Sequence, residues 1–243
     1  MDQHRTLLTW PGRTDALAAM AGQLFDLLGR IAPLHPRLAK WLFDEARVPA
    51  PADSLDACAR ALALGTVHWK TGDVARTSYE QRFYVERSRG APVELTLTCG
   101  IEPLGLDPMW VPNRLELLVR CDAGELATRA VLEGLLRAAV AAFDPDWAFA
   151  GSEAVPITPL PFFTDGTPAV GWMTYLRRGF PEVPRTLPQP AVVYPVDGRG
   201  TLVVAHPEPF HERDPEQRAA LDRVQEALAA AGVLVPPGAI RRA

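Results

Sequence analysis

Apolar positions recur at two different periods along this chain, and the change of period divides it. Leu17, Met20, Leu24, Leu27, Leu28 and Ile31 return at helical spacing, which predicts a buried stripe, with Thr14 as cap and Asp15 in the first turn. His35-Pro36 starts a shorter helix that carries Leu38, Trp41 and Leu42. Ser54 caps a third through Leu55, Cys58, Ala59 and Leu62, and Gly65 is its natural stop. Residues 1–75 therefore read as a helical region.

The middle of the chain alternates instead. Val93 to Thr98 switches between apolar and polar residues at every step, as a strand with one protected face does, and Arg114 to Arg120 repeats the pattern with one slip. Gln81 to Arg87 is a further strand. Pro103, Gly105, Pro108 and Pro112 make the intervening connection a wide loop. Asp122, with Glu125 completing a box-like cap, starts a helix whose buried side is Leu132, Leu135, Leu136, Ala139, Val140 and Phe143. Asp144-Pro145 ends it.

Strands follow from Trp147, over Val170 to Leu176, over Ala191 to Tyr194 and, past an Asp197-Gly198 turn, over Thr201 to Ala205. Asp214 caps the last helix, with Pro215 at its first position, Leu221, Val224 and Leu228 facing inward, and Gly232 at its end. Two strand pairs each lead into a helix. The expectation is an α+β fold: a mostly antiparallel sheet of two β-β-α-like units with helices on one face, plus N-terminal helices. A single domain over 1–243 is expected, with its α+β core over 80–235.

Composition changes this picture little. The chain has 243 residues, 48% of them hydrophobic, so a substantial core is available. A net charge of −4 is no footprint for nonspecific nucleic-acid binding, so no direct nucleic-acid partner is expected. The apolar run before Pro11 is too short for a signal peptide, and no stretch approaches the ~20 apolar residues of a membrane helix, so a cytoplasmic address is expected. Cys58, Cys99 and Cys121 are widely spaced and form no CxxC pair, which argues against structural zinc and for buried or semi-buried free thiols.

Candidate chemistry is sparse. His206, Glu208, His211, Glu212 and Asp214 are metal-ligating types, but Pro207 and Pro209 exclude an HExxH face. No metal or cofactor is expected. A small metal-assisted hydrolase using the 206–214 region remains an alternative. Asp144, Asp146, Glu153 and Asp165 have no spacing that enforces paired carboxylate catalysis, and turn duty is their ordinary use. Nucleophile-elbow and phosphate-loop motifs are absent. On a strand, Trp172, Thr174 and Leu176 share one face, Met173 and Tyr175 share the other, and Gly171 admits a close backbone or ring. Such aromatics serve as a core plug or as interface anchors.

Phe143-Asp144-Pro145-Asp146-Trp147-Ala148, Val170-Gly171-Trp172-Met173-Thr174-Tyr175-Leu176, Gly198 to Val204, Phe210 and Asp214-Pro215-Glu216 together resemble the bacterial immunity protein 52 family, over roughly residues 80–235. The resemblance implies a cytoplasmic immunity protein of a polymorphic-toxin or type VI secretion system. It implies stoichiometric inhibition of a cognate toxin, commonly a restriction-endonuclease-like nuclease, and no enzymatic turnover. A non-inhibitory secretion-system adaptor is a second alternative. Charge and aromatic content mark Asp144, Asp146, Trp147, Glu153, Asp165, Trp172 and Tyr175 as the expected partner contacts, with Gly171, Asp122 and Asp214 in structural roles.

Overall fold

The computed structural model describes residues 3–10, 16–43, 48–49, 54–71, 74–86, 90–100, 113–152, 170–211 and 213–235. In chain order these form β1 (Gln3–Trp10), α1 (Leu17–Ile31), β2 (Trp41–Phe43), β3 (Val48–Pro49), α2 (Leu55–Leu64), β4 (Thr66–Thr71), β5 (Val74–Val85), β6 (Val93–Cys99) and β7 (Asn113–Arg120). Then come α3 (Arg129–Phe143), β8 (Trp147–Ser152), β9 (Met173–Arg177), β10 (Val192–Val196), β11 (Gly200–Val204) and α4 (Pro215–Ala230).

The eleven described strands form one sheet in the order β10-β11-β9-β8-β1-β7-β6-β5-β2-β3, with β4 also on β5, and every pairing is antiparallel. The α+β architecture matches the sequence pattern. Alternation in β7 reflects its burial, with Leu115, Leu117 and Val119 pointing into the core. Leu95 and Leu97 of β6 point the same way, but Thr96 and Thr98 on its other face are buried as well, so β6 has more than the one protected face expected.

Residues directly opposite across a ladder share a face. Ala148, Leu8, Leu115 and Leu97 therefore line one side of the sheet. Three helices cover that side. Trp10 stacks on Phe143 of α3 at 5.0 Å, Gln81 Nε2 donates to the Ala61 carbonyl of α2 at 2.8 Å, and α1 packs against both helices. The opposite side changes character along the sheet. Around β8 it is aromatic, with Trp147 stacked on Phe149 at 5.2 Å, and around β7 it is polar, with Arg5 paired to Glu116 at 2.7 Å.

Several local expectations are corrected. Residues 1–75 are not all helical: β1 lies inside the sheet between β7 and β8, while β2 and β4 pair with β5. Both sides of β1 are buried, so Leu7, Leu8 and Trp10 show no alternation to read. The helix at Pro36 is a short 3₁₀ turn over Pro36–Ala39, after which Lys40 is extended and Trp41 enters the sheet opposite Val85. Asp122 caps no helix. Its carboxylate takes both Nε and Nη2 of Arg120, a 3₁₀ turn over Gly124–Ala127 intervenes, and α3 begins at Arg129. Thr14 and Asp15 lie outside the described residues. Ser54 and Asp214 do cap α2 and α4: Ser54 accepts from the Ala57 amide, and Asp214 accepts from the amides of Glu216 and Gln217.

Candidate functional site

The two sequence segments rich in acids and aromatics meet where α3 turns back into the sheet. Phe143 is buried beneath the helix end, and Asp144 adopts the left-handed conformation, φ 45 and ψ 57. Its N–H bonds the Val140 carbonyl at 3.0 Å, closing the last helical turn and directing the chain into β8. Trp147 then pairs with Leu176, which brings Asp146 beside Arg177, and the Arg177 amide donates to the Asp146 carbonyl at 3.1 Å.

Arg177 joins both acids. Its Nη2 lies 2.8 Å from Asp144 Oδ2 and its Nη1 3.1 Å from Asp146 Oδ1. Arg199 adds a looser contact, 3.6 Å from Asp144 Oδ1. The Asp146 side chain is 8% exposed and that of Asp144 32%, so the network runs from interior to surface. Tyr175 supports it from below, its hydroxyl donating to the Arg199 carbonyl at 3.1 Å. Burial, then the charge of Asp144, raises the phenol pKa well above its ordinary value, so this hydroxyl stays protonated as a donor. Two carboxylates balanced by two guanidinium groups form a braced, partly exposed charged rim.

The aromatic expectations fare differently. Trp147, Trp172 and Tyr175 are interior side chains, and Trp172 Nε1 donates to the His206 carbonyl at 2.8 Å. In the isolated chain all three lie beneath the surface. Their large area serves the core instead. Gly171 holds a close approach: a Cβ there would sit 2.6 Å from the Ala150 carbonyl oxygen and from Phe149 Cδ2. Glu153 and Asp165 lie outside the described residues.

Arg177 and Arg199 hold the two acids together, and neither is among the partner contacts expected from the sequence. Period-two spacing was the available signal, since Arg177 follows Tyr175 by two residues and so shares its face.

Two of the 206–214 side chains are spent on backbone amides. His206 Nδ1 accepts from the Glu208 amide at 3.2 Å, Asp214 caps α4, and Glu212 lies outside the described residues. Among the described residues no three His, Cys, Asp or Glu side chains gather as a metal site. Cys58 and Cys99 are buried and Cys121 is half-buried, none of them in a disulfide. Burial pushes the Cys58 thiol up to about 11. No helix among the described residues is long and apolar enough to cross a membrane.

No curated protein matches the chain. Among solved structures, one described as "Pseudomonas aeruginosa T6SS protein PA0821" superposes with a TM-score of 0.55 at 16% identity, over 96% of this chain and 73% of that one. At that identity the likeness is one of fold. The family model for immunity protein 52 matches residues 6–237, which extends the similarity through the N-terminal strand and helices. With a match across nearly its whole length, this chain belongs to the immunity protein 52 family.

Proposed function

We propose that this protein binds a cognate secreted toxin in the cytoplasm and neutralises it one-to-one, by occupying it and not by chemistry. Family membership over residues 6–237 carries this reading. The fold likeness to a protein described as belonging to a type VI secretion system favours that route of delivery. The toxin is proposed to be a nuclease effector, the class implied by the resemblance noted above.

The physical support is a surface suited to rigid docking. Asp144, Arg177 and Arg199 are held by one another at the end of α3, so presenting them costs little further ordering. Protection inside a cell calls for a stable complex, which typically buries more than ~1,000 Å².

The test is co-expression with the toxin encoded beside this gene. Growth of cells that make the toxin should be restored by this chain, and the two should co-purify at equal stoichiometry. Growth arrest in its presence, with no complex on size exclusion, would refute the proposal.

A further inference from the structure

Leu176, Thr201 and Pro195 lie directly opposite one another across β9, β11 and β10, on the side of the sheet away from α1, α2 and α3. Residues 178–185 fold over this row and leave a cleft of about 700 Å³. Its floor is apolar, formed by Leu176, Val193 and Pro195 with Phe180 at the side. Its rim carries Arg178 and Arg185, both exposed, and among the described residues neither guanidinium has a hydrogen bond or an ion pair. Arg177 also reaches the cleft but is already neutralised by Asp144 and Asp146. Glu182 is the remaining carboxylate of the lining and pairs with neither free arginine. The rim is therefore left with a net positive charge on a protein whose overall charge is −4.

The cleft is preformed. Val183 within the covering loop and Leu187 just after it are buried and anchor it, and Pro181 and Pro184 restrict its backbone. The Arg178 amide bonds the Arg199 carbonyl at 2.6 Å, and the Phe180 amide bonds the Arg177 carbonyl at 3.2 Å. Strand addition beside the cleft is disfavoured. β10 is the terminal strand of the sheet, and Pro195 within it has no N–H to offer a neighbour.

We infer that this cleft receives an acidic segment of the partner toxin, with an apolar side chain on the floor and carboxylates on Arg178 and Arg185. Charge complementarity selects that occupant. Free guanidinium groups bind carboxylates in a fork, and the negative charge over the rest of the molecule favours an acidic segment at this cationic opening. The inference rests on the proposed immunity function and assigns it a surface.

The test compares R178E/R185E with R60E/R82E in the full-length chain, titrating each against the adjacent-gene toxin by calorimetry at two salt concentrations. Both doubles change net charge equally, and Arg60 and Arg82 are exposed outside the cleft. R178E/R185E should weaken binding by roughly 10- to 100-fold and flatten its salt dependence, while R60E/R82E stays within about threefold. Thr201→Trp, which fills the floor without changing charge, should weaken binding too. Wild-type binding that is matched within about threefold by R178E/R185E and by Thr201→Trp overturns the cleft and leaves the immunity function standing. No binding by the wild-type chain overturns both.

Discussion

Arg177, at the end of β9, reaches Asp144, the left-handed residue that closes α3, at 2.8 Å. The contact ties the end of a helix to the sheet, and the same guanidinium holds the largely buried Asp146. Arg177→Met keeps most of the stem and removes the fork, and with it the 3.1 Å contact to Asp146. A loss of about 1–3 kcal/mol in unfolding free energy is expected, part of the interaction being screened at the exposed Asp144. Arg177→Lys should recover less than half of it, because an ammonium cannot bridge two carboxylates in the same plane. Urea midpoints measure both variants, and an unchanged midpoint in Arg177→Met would show that the network contributes nothing to stability.

Two glycine substitutions should move stability in opposite directions. At Gly200 a Cβ would lie 2.2 Å from the Leu176 carbonyl oxygen, which is backbone of the neighbouring strand. Gly200→Ala should cost about 2–4 kcal/mol through forced displacement of β11 from β9. At Gly22, in the middle of α1, nothing lies within 4 Å of the same atom. Gly22→Ala should stabilise by about 0.5–1 kcal/mol by restricting the unfolded chain. Thermal melts of the pair decide this, and a shift of the same sign in both would contradict the packing described.

Acid sensitivity should trace in part to His4. Its ring is buried in β1, 6.2 Å from that of His211, and burial first, then the His211 charge, lowers its pKa from 6.5 to about 4. Between those values the unfolded chain binds a proton that the folded chain refuses. Stability is then complete above pH 6.5 and declines as the pH falls toward about 4. His4→Leu removes this contribution. The drop in urea midpoint from pH 7 to pH 5 should be smaller in His4→Leu than in the wild type, and equal drops would exclude His4 as a cause.

The two aspartates expected to cap helices should behave unequally. Asp214 accepts from two amides at the start of α4, so Asp214→Ala should cost about 1 kcal/mol. Asp122 is an exposed partner of Arg120 and touches no helix amide, so Asp122→Ala should shift the denaturation midpoint less. The reverse order would mean that the α3 entry is held by Asp122 after all.

Local physics determined much of this protein from its sequence alone. The caps at Ser54 and Asp214, the turn at Asp197-Gly198 and the alternation of β7 depend on neighbours a few residues away, and they stand as read. Tertiary structure decided the rest. β1 is an interior strand because it pairs with β7 and β8, more than a hundred residues later, and burial of both its faces in the folded protein erases the period that would have marked it. The same pairing logic joins Asp144 and Asp146 to Arg177, sets Leu176, Thr201 and Pro195 in one row, and turns Trp147, Trp172 and Tyr175 inward. Which charge finds a partner, and which is left open on a cleft, depends on contacts between distant strands, and a one-dimensional pattern carries no record of those distances.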